Sequence, residues 1–146
     1  MTEQQVQALQ QVLANQHAAI WAYGEIGATV SQEYLKPITS RDNAQRAMRT
    51  KIEDLLRALN GEPVPAQAGY RVPGLLSDDE SALAFAADVE ESLTQQWRFC
   101  IGTDGEPDAT FRQLCLDGML DTASAAGRWR RELDPEALPP SLPGMA

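Results

Sequence analysis

The chain has 146 residues, with 12 Lys and Arg against 21 Asp and Glu, a formal net charge of −9. That length allows one domain with a core of its own, and 43% hydrophobic with 23% charged residues is an ordinary globular composition. The acidic balance argues against nucleic acid as a partner, and no run approaches the roughly 18 apolar residues of a membrane span.

The opening "MTEQQVQALQQ" lacks the basic flank and apolar run of a secretory leader, so the expected location is the cytoplasm. A first helix is expected from about Thr2, a capping residue, to Leu35. Val6, Leu9, Leu13, Ile20, Gly24, Gly27 and Val30 recur near the helical period, and Pro37 should end the segment. A second helix should run from Thr39 or Ser40 to Leu59, burying Ala44, Met48, Ile52, Leu55, Leu56 and Leu59. The "NG" at 60–61 stops it, with Gly61 suited to the left-handed conformation.

The stretch 62–76, "EPVPAQAGYRVPGLL", has three prolines and two glycines, which favours an extended path over a helix. "SDDE" at 77–80 reads as a capping box from Ser77 to Glu80, opening a third helix through Leu83, Ala86, Val89, Leu93, Trp97 and Cys100. After a short turn at 102–108, a fourth helix spans Asp108 to Leu133, with Phe111, Leu114, Cys115, Gly118, Thr122, Ala125 and Trp129 on one face. Residues 134–146 form a proline-rich tail beyond a bundle at 1–133.

The connections decide the topology. Short links pair helices 1–2 and 3–4 as antiparallel hairpins. The second connection is about fifteen extended residues, reaching about 50 Å, whereas a 20-residue helix is about 30 Å long. It can therefore carry the chain back along the bundle. An all-α four-helix bundle made of two antiparallel hairpins and one long crossover is the ferritin-like arrangement. On these boundaries Cys100 and Cys115 fall at different heights, too far apart to bridge, and read as buried free thiols of a reducing compartment.

Five segments resemble a known family: "QHAAIWAYGEIGA" in helix 1, "PVPAQAGYRVP" in the crossover, "ALAFAADVEESLTQQW" in helix 3, "AAGRWR" in helix 4 and the ending "LPPSLPGM". Together they are similar to the ferritin-like proteins of unknown function found in actinobacteria, a domain-of-unknown-function family. The resemblance implies a ferritin-like bundle, often dimeric, with no assigned activity. One departure is that Gln16-His17 stands where Glu-His is expected.

The chemistry expected of such a bundle turns on metal ligands. A ferritin-like di-iron site uses a Glu from each of two helices and a Glu-x-x-His pair from each of the others. His17 is the sole histidine and Ala14 stands three residues before it, so no such pair exists. The inward acids are Glu53, Glu90 rather than Glu91, and Asp117 or Asp121. His17, Glu53, Glu90 and Asp121 thus form a candidate polar cluster short of nitrogen and charge, and neither a metal nor another cofactor is expected. His17 should be a core imidazole bonded to a carboxylate or carbonyl of a neighbouring helix, with Glu90 and Asp121 the favoured acids, and a candidate pH-sensitive group.

Other features read as structure. Gly24 and Gly27 lack the strand that precedes a phosphate loop, and should let another helix approach. Trp21, Tyr23, Trp97 and Trp129 suit a core or dimer interface. "RWRR" at 128–131 could grip an anion, but a helix C-terminus favours cations in any case. The expected function is a non-catalytic homodimer that binds an unidentified partner protein or a small apolar ligand. The alternative is a metal-dependent oxidoreductase or metal-storage protein using His17, Glu53, Glu90 and Asp121.

Overall fold

The computed structural model describes residues 1–72, 74–103, 105, 108–140 and 142–144. Among them are four helices and no strand: α1 Glu3–Thr29, α2 Gln32–Ala58, α3 Asp79–Ile101 and α4 Ala109–Leu133. Parts of the expected turn at 102–108 and of the tail at 134–146 lie outside the described residues.

Thr2 caps α1 as expected. Its hydroxyl accepts from the Gln5 amide at 3.2 Å, and the Gln5 side chain accepts from the Thr2 amide at 2.9 Å. The helix ends at Thr29, however, rather than at Leu35, and Pro37 lies in the second turn of α2. The break falls at Val30 and Ser31, both extended. Its cause is tertiary: the Asp79 carboxylate, at the start of α3, accepts from the Ser31 amide at 2.6 Å and from its hydroxyl at 2.8 Å. Pro37 forfeits one helical hydrogen bond, and the next residue, Ile38, is buried.

At the other end of α2, the Gly61 amide donates to the Leu56 carbonyl and the Asn60 amide to that of Arg57, both at 2.9 Å. This is a Schellman closure. Asn60, not Gly61, takes the left-handed conformation, at φ 59°. The crossover then climbs beside α1. Gln10 clamps its start, donating to the Glu62 carbonyl at 2.7 Å and accepting from the Val64 amide at 2.8 Å. Further along, Tyr70 packs on Trp21 with ring centroids 6.0 Å apart, and Asp79 arrives at Ser31. So α3 begins at the end of the bundle where α2 began, as the linker length predicts. Its cap is Asp78, whose side chain accepts from the Ser81 amide at 2.8 Å, one residue along from the expected Ser77–Glu80 box.

Helices α3 and α4 pack in a register that sets Thr94 against Thr122, Trp97 against Gly118 and Cys100 against Cys115. A Cβ at residue 118 would lie 2.3 Å from the Trp97 ring, so only glycine admits the indole. In this register α4 starts more than a turn beyond the end of α3. That overhang corrects the expected placing of the cysteines, which were put at different heights on the assumption of level helix ends. The two thiols are unbridged and buried, and close enough for Cys115 to act on the Cys100 thiol. The tail turns back onto α3, where the Arg98 guanidinium donates to the Pro143 carbonyl at 3.0 Å.

The core divides in two. One cluster includes Leu9, Leu13, Ile52, Leu56, Leu93, Trp97, Cys100, Phe111, Leu114 and Cys115. The other includes Tyr23, Ile26, Ile38, Leu83, Ala86 and Trp129. Near mid-length each of the four helices contributes buried polar side chains: Gln16, Arg41, Gln45, Glu90, Thr94 and Thr122.

Candidate functional site

Glu90, halfway along α3, is the centre of the polar layer and has no exposed surface. Its Oε1 accepts from the Tyr23 hydroxyl at 2.6 Å, Arg41 Nε at 2.9 Å and Gln45 Nε2 at 2.9 Å. Its Oε2 accepts from Arg41 Nη2 at 3.0 Å. The guanidinium therefore grips Glu90 with two parallel bonds, and its Nη1 reaches both oxygens of Asp121 at 3.2 and 3.0 Å. Tyr23 in turn accepts from the Trp129 indole at 3.0 Å, and Gln16 donates to the Gln45 side chain. Below this, the Thr94 hydroxyl bonds the Glu90 carbonyl at 2.8 Å and Thr122 at 2.9 Å.

The helical spacing explains the assembly. Arg41 and Gln45 are one turn apart, on the stripe that continues through Ile52 and Leu56. Glu90 lies between Ala86 and Leu93 on the buried stripe of α3. Burial disfavours the carboxylate of Glu90 and raises its pKa above the ordinary value, with Arg41, Tyr23 and Gln45 opposing the shift. Burial also works against the charge on Arg41, but the bonds and charge of Glu90, with Asp121, more than offset it and raise the guanidinium's pKa. Burial, then the charge of Glu90, push the Tyr23 phenol well above its usual value, which keeps it a donor.

Of the four residues in the expected cluster, the fold brings Glu90 and Asp121 together, through Arg41. The other two are elsewhere. Glu53 lies 3.7 Å from Arg57 on its own helix. His17 is buried, but its Nε2–H donates to the Val64 carbonyl of the crossover at 2.9 Å, rather than to Glu90 or Asp121. Its Nδ1 has no partner. Glu91 pairs with Arg130 at 2.7 Å and Asp117 accepts from Gln113, so neither joins the layer around Glu90. Gly24 is exposed and meets no other helix.

These residues do not fit a di-metal centre. Among the described residues, no three His, Cys, Asp or Glu side chains converge. Glu90, fully buried, has both oxygens committed to protein donors, and a guanidinium occupies the space between it and Asp121. The orphaned oxygen in the layer, Gln16 Oε1, is a single neutral ligand, which is too little for a di- or trivalent cation. Cys100 is not an activated nucleophile: its interaction with Cys115 and then burial hold the thiol far above its usual pKa. Arg41, Gln45 and Tyr23 are the members that sequence reading missed. The available signal was a polar interruption at mid-length in the apolar stripes of all four helices.

A separate cavity of about 200 Å³ opens between α1, α3 and the crossover. Trp21, Tyr70 and Phe85 supply aromatic walls, with Asn15, Asp88 and Arg71 among its polar groups.

Comparison with known proteins agrees with the fold. The family described as "Domain of unknown function (DUF4439)" matches residues 8–146, and the chain belongs to it. The chain is similar to the crystal structure of a conserved hypothetical protein, rv2844, from Mycobacterium tuberculosis. There the identity is 25% and the TM-score 0.84, over 91% of this chain and 100% of that one. It also resembles a structure described as ferritin like, diiron-carboxylate proteins from Bacillus anthracis. That likeness, at 19% identity and TM-score 0.77 over 92% of this chain and 100% of that one, is one of fold alone. No curated protein matches the sequence. No helix among the described residues is long and apolar enough to cross a membrane.

Proposed function

We propose that this member of the DUF4439 family is a non-catalytic ferritin-like bundle, a cytoplasmic homodimer that binds a small aromatic ligand. The observation that carries this reading is the Arg41 guanidinium, held between Glu90 and Asp121. A cation of the protein's own neutralises the carboxylates that a metal centre would require, so the bundle closes its centre without metal. The diiron neighbour shares the backbone arrangement, and Arg41, Gln45 and Gln16 distinguish this chain's centre from a carboxylate site.

The ligand is assigned to the cavity walled by Trp21, Tyr70 and Phe85, because an apolar cavity of roughly 150 Å³ suffices for benzene. Two wall residues, Tyr70 and Arg71, belong to the crossover, so the His17–Val64 bond steadies the segment that forms the wall. A dimer is supported by Leu116 and Leu120, one turn apart and 37% and 53% exposed on α4. Unbridged, buried thiols suit a reducing compartment.

The test of the metal-free centre is elemental analysis of protein made in iron- and manganese-supplemented medium, without chelator or histidine tag. Background metal is expected. Iron or manganese near one or two per chain would overturn the reading. Saturation-transfer NMR with p-cresol tests the cavity. Contact that is lost on filling the cavity with Ala18→Phe is expected, and contact unchanged by that substitution would remove the ligand assignment.

A further inference from the structure

Above Asp121, a notch of about 260 Å³ opens on the α2–α4 side of the bundle, and it is a place of positive charge on an acidic protein. Arg41, Asp121, Ser124, Arg128 and Arg131 line it. The three arginines of "RWRR" separate here. Arg130 is bound to Glu91 at 2.7 Å, whereas Arg128 and Arg131 have no ion-pair partner among the described residues. Arg128 is placed by its neighbour, its guanidinium 5.3 Å from the centre of the Trp129 ring. Arg131 folds back along α4, with Nη1 3.2 Å from where a Cβ of Gly127 would stand, so glycine leaves room for it. Arg41 contributes from below. A guanidinium has five N–H groups. Those of Arg41 reach Glu90 through Nε and Nη2 and Asp121 through Nη1, which leaves an Nη2 hydrogen free of these partners.

A helix C-terminus accounts for arginines near residue 131 in general, but not for their turning to the same notch as an arginine from α2. We infer that this notch binds a small oxyanion, a phosphate or a carboxylate. Planar guanidinium forks suit such groups, and the unpaired Arg128 and Arg131 supply charge-assisted bonds. Asp121 is the competing group. Its side chain is 54% exposed, so an arriving oxyanion displaces it from Arg41 without disturbing the buried Glu90 pair. The anion and Asp121 are thus alternative partners of the same Nη1.

The experiment is calorimetric titration of the full chain at low ionic strength with inorganic phosphate, with succinate, and with chloride as the control. Saturable binding of phosphate or succinate is expected, with at least a tenfold loss in Arg128→Gln/Arg131→Gln. Asp121→Asn should bind severalfold more tightly, because the internal competitor is weakened. Circular dichroism of the variants confirms that they fold. Stronger binding of phosphate assigns the site to phosphorylated ligands, and stronger binding of succinate to carboxylates. Equal effects of chloride, an unchanged double variant, or weaker binding by Asp121→Asn would each overturn the assignment.

Discussion

The α3–α4 seam and the centre of the polar layer, Glu90, are both closed to water, but by opposite means. At the seam, Trp97 fills the space left by Gly118, and nothing but shape holds the pair. In the polar layer, Glu90 is as deeply buried as Trp97, and it is tolerable only because Arg41, Tyr23 and Gln45 meet its oxygens. A packed seam should answer to changes in volume. A buried charge should answer to the loss of a partner, whatever the volume.

The sharpest way to break this contrast is Arg41→Met, which keeps much of the volume and strands Glu90. A loss of about 3–5 kcal/mol is expected in denaturant unfolding, the usual range for one partner of a buried pair. The deficit should depend on pH. A carboxyl whose folded pKa is raised above its unfolded value adds stability below the unfolded value, and loses it as pH rises through the folded one. Glu90 is already raised by burial, and without Arg41 it is raised further, so the variant should recover toward pH 4 and weaken toward neutrality. A pH-independent deficit would mean that Glu90 is not the stranded charge.

Gly118→Ala probes the seam and should cost about 3 kcal/mol, the upper part of the overpacking range, because the added carbon meets a rigid buried ring. Chemical denaturation of a variant no less stable than the parent would show that the helices separate freely. Tyr23→Phe removes one donor to Glu90 and the acceptor of the Trp129 indole at almost constant volume; about 2 kcal/mol is expected from the same assay. Asp121→Asn sharpens the comparison from the other side. Its carboxylate is 54% exposed, so water screens its bond to Arg41 and the loss should stay within about 1 kcal/mol. A loss matching that of Arg41→Met would place the layer's energy at its exposed arm instead.

The fold was legible because its signals are local: the Thr2 cap, the prolines of 62–76 and the face running from Phe111 to Trp129. What stayed hidden depends on contacts between distant residues. The break at Ser31 is made by Asp79, 48 residues away, so the nearer Pro37 looked like the terminator. Arg41 carries no signal of its own in the sequence, because arginine is seldom buried unless paired and its partners come from two other helices. The cysteine register depends on how far α4 overhangs α3, which composition does not encode. His17 was placed inward by its stripe, but the crossover, not a neighbouring helix, supplies its acceptor.

The central claim is that Arg41 and Glu90 form a self-neutralised unit whose removal as a whole the bundle can bear. Equilibrium unfolding of Arg41→Met/Glu90→Leu at pH 7, beside Arg41→Met alone, tests it most directly. Replacing both charges should restore stability to near or above that of the parent, as apolar replacement of buried pairs often does. A double variant as unstable as the single one would contradict the account, and would mean that the layer is held by something other than the pair.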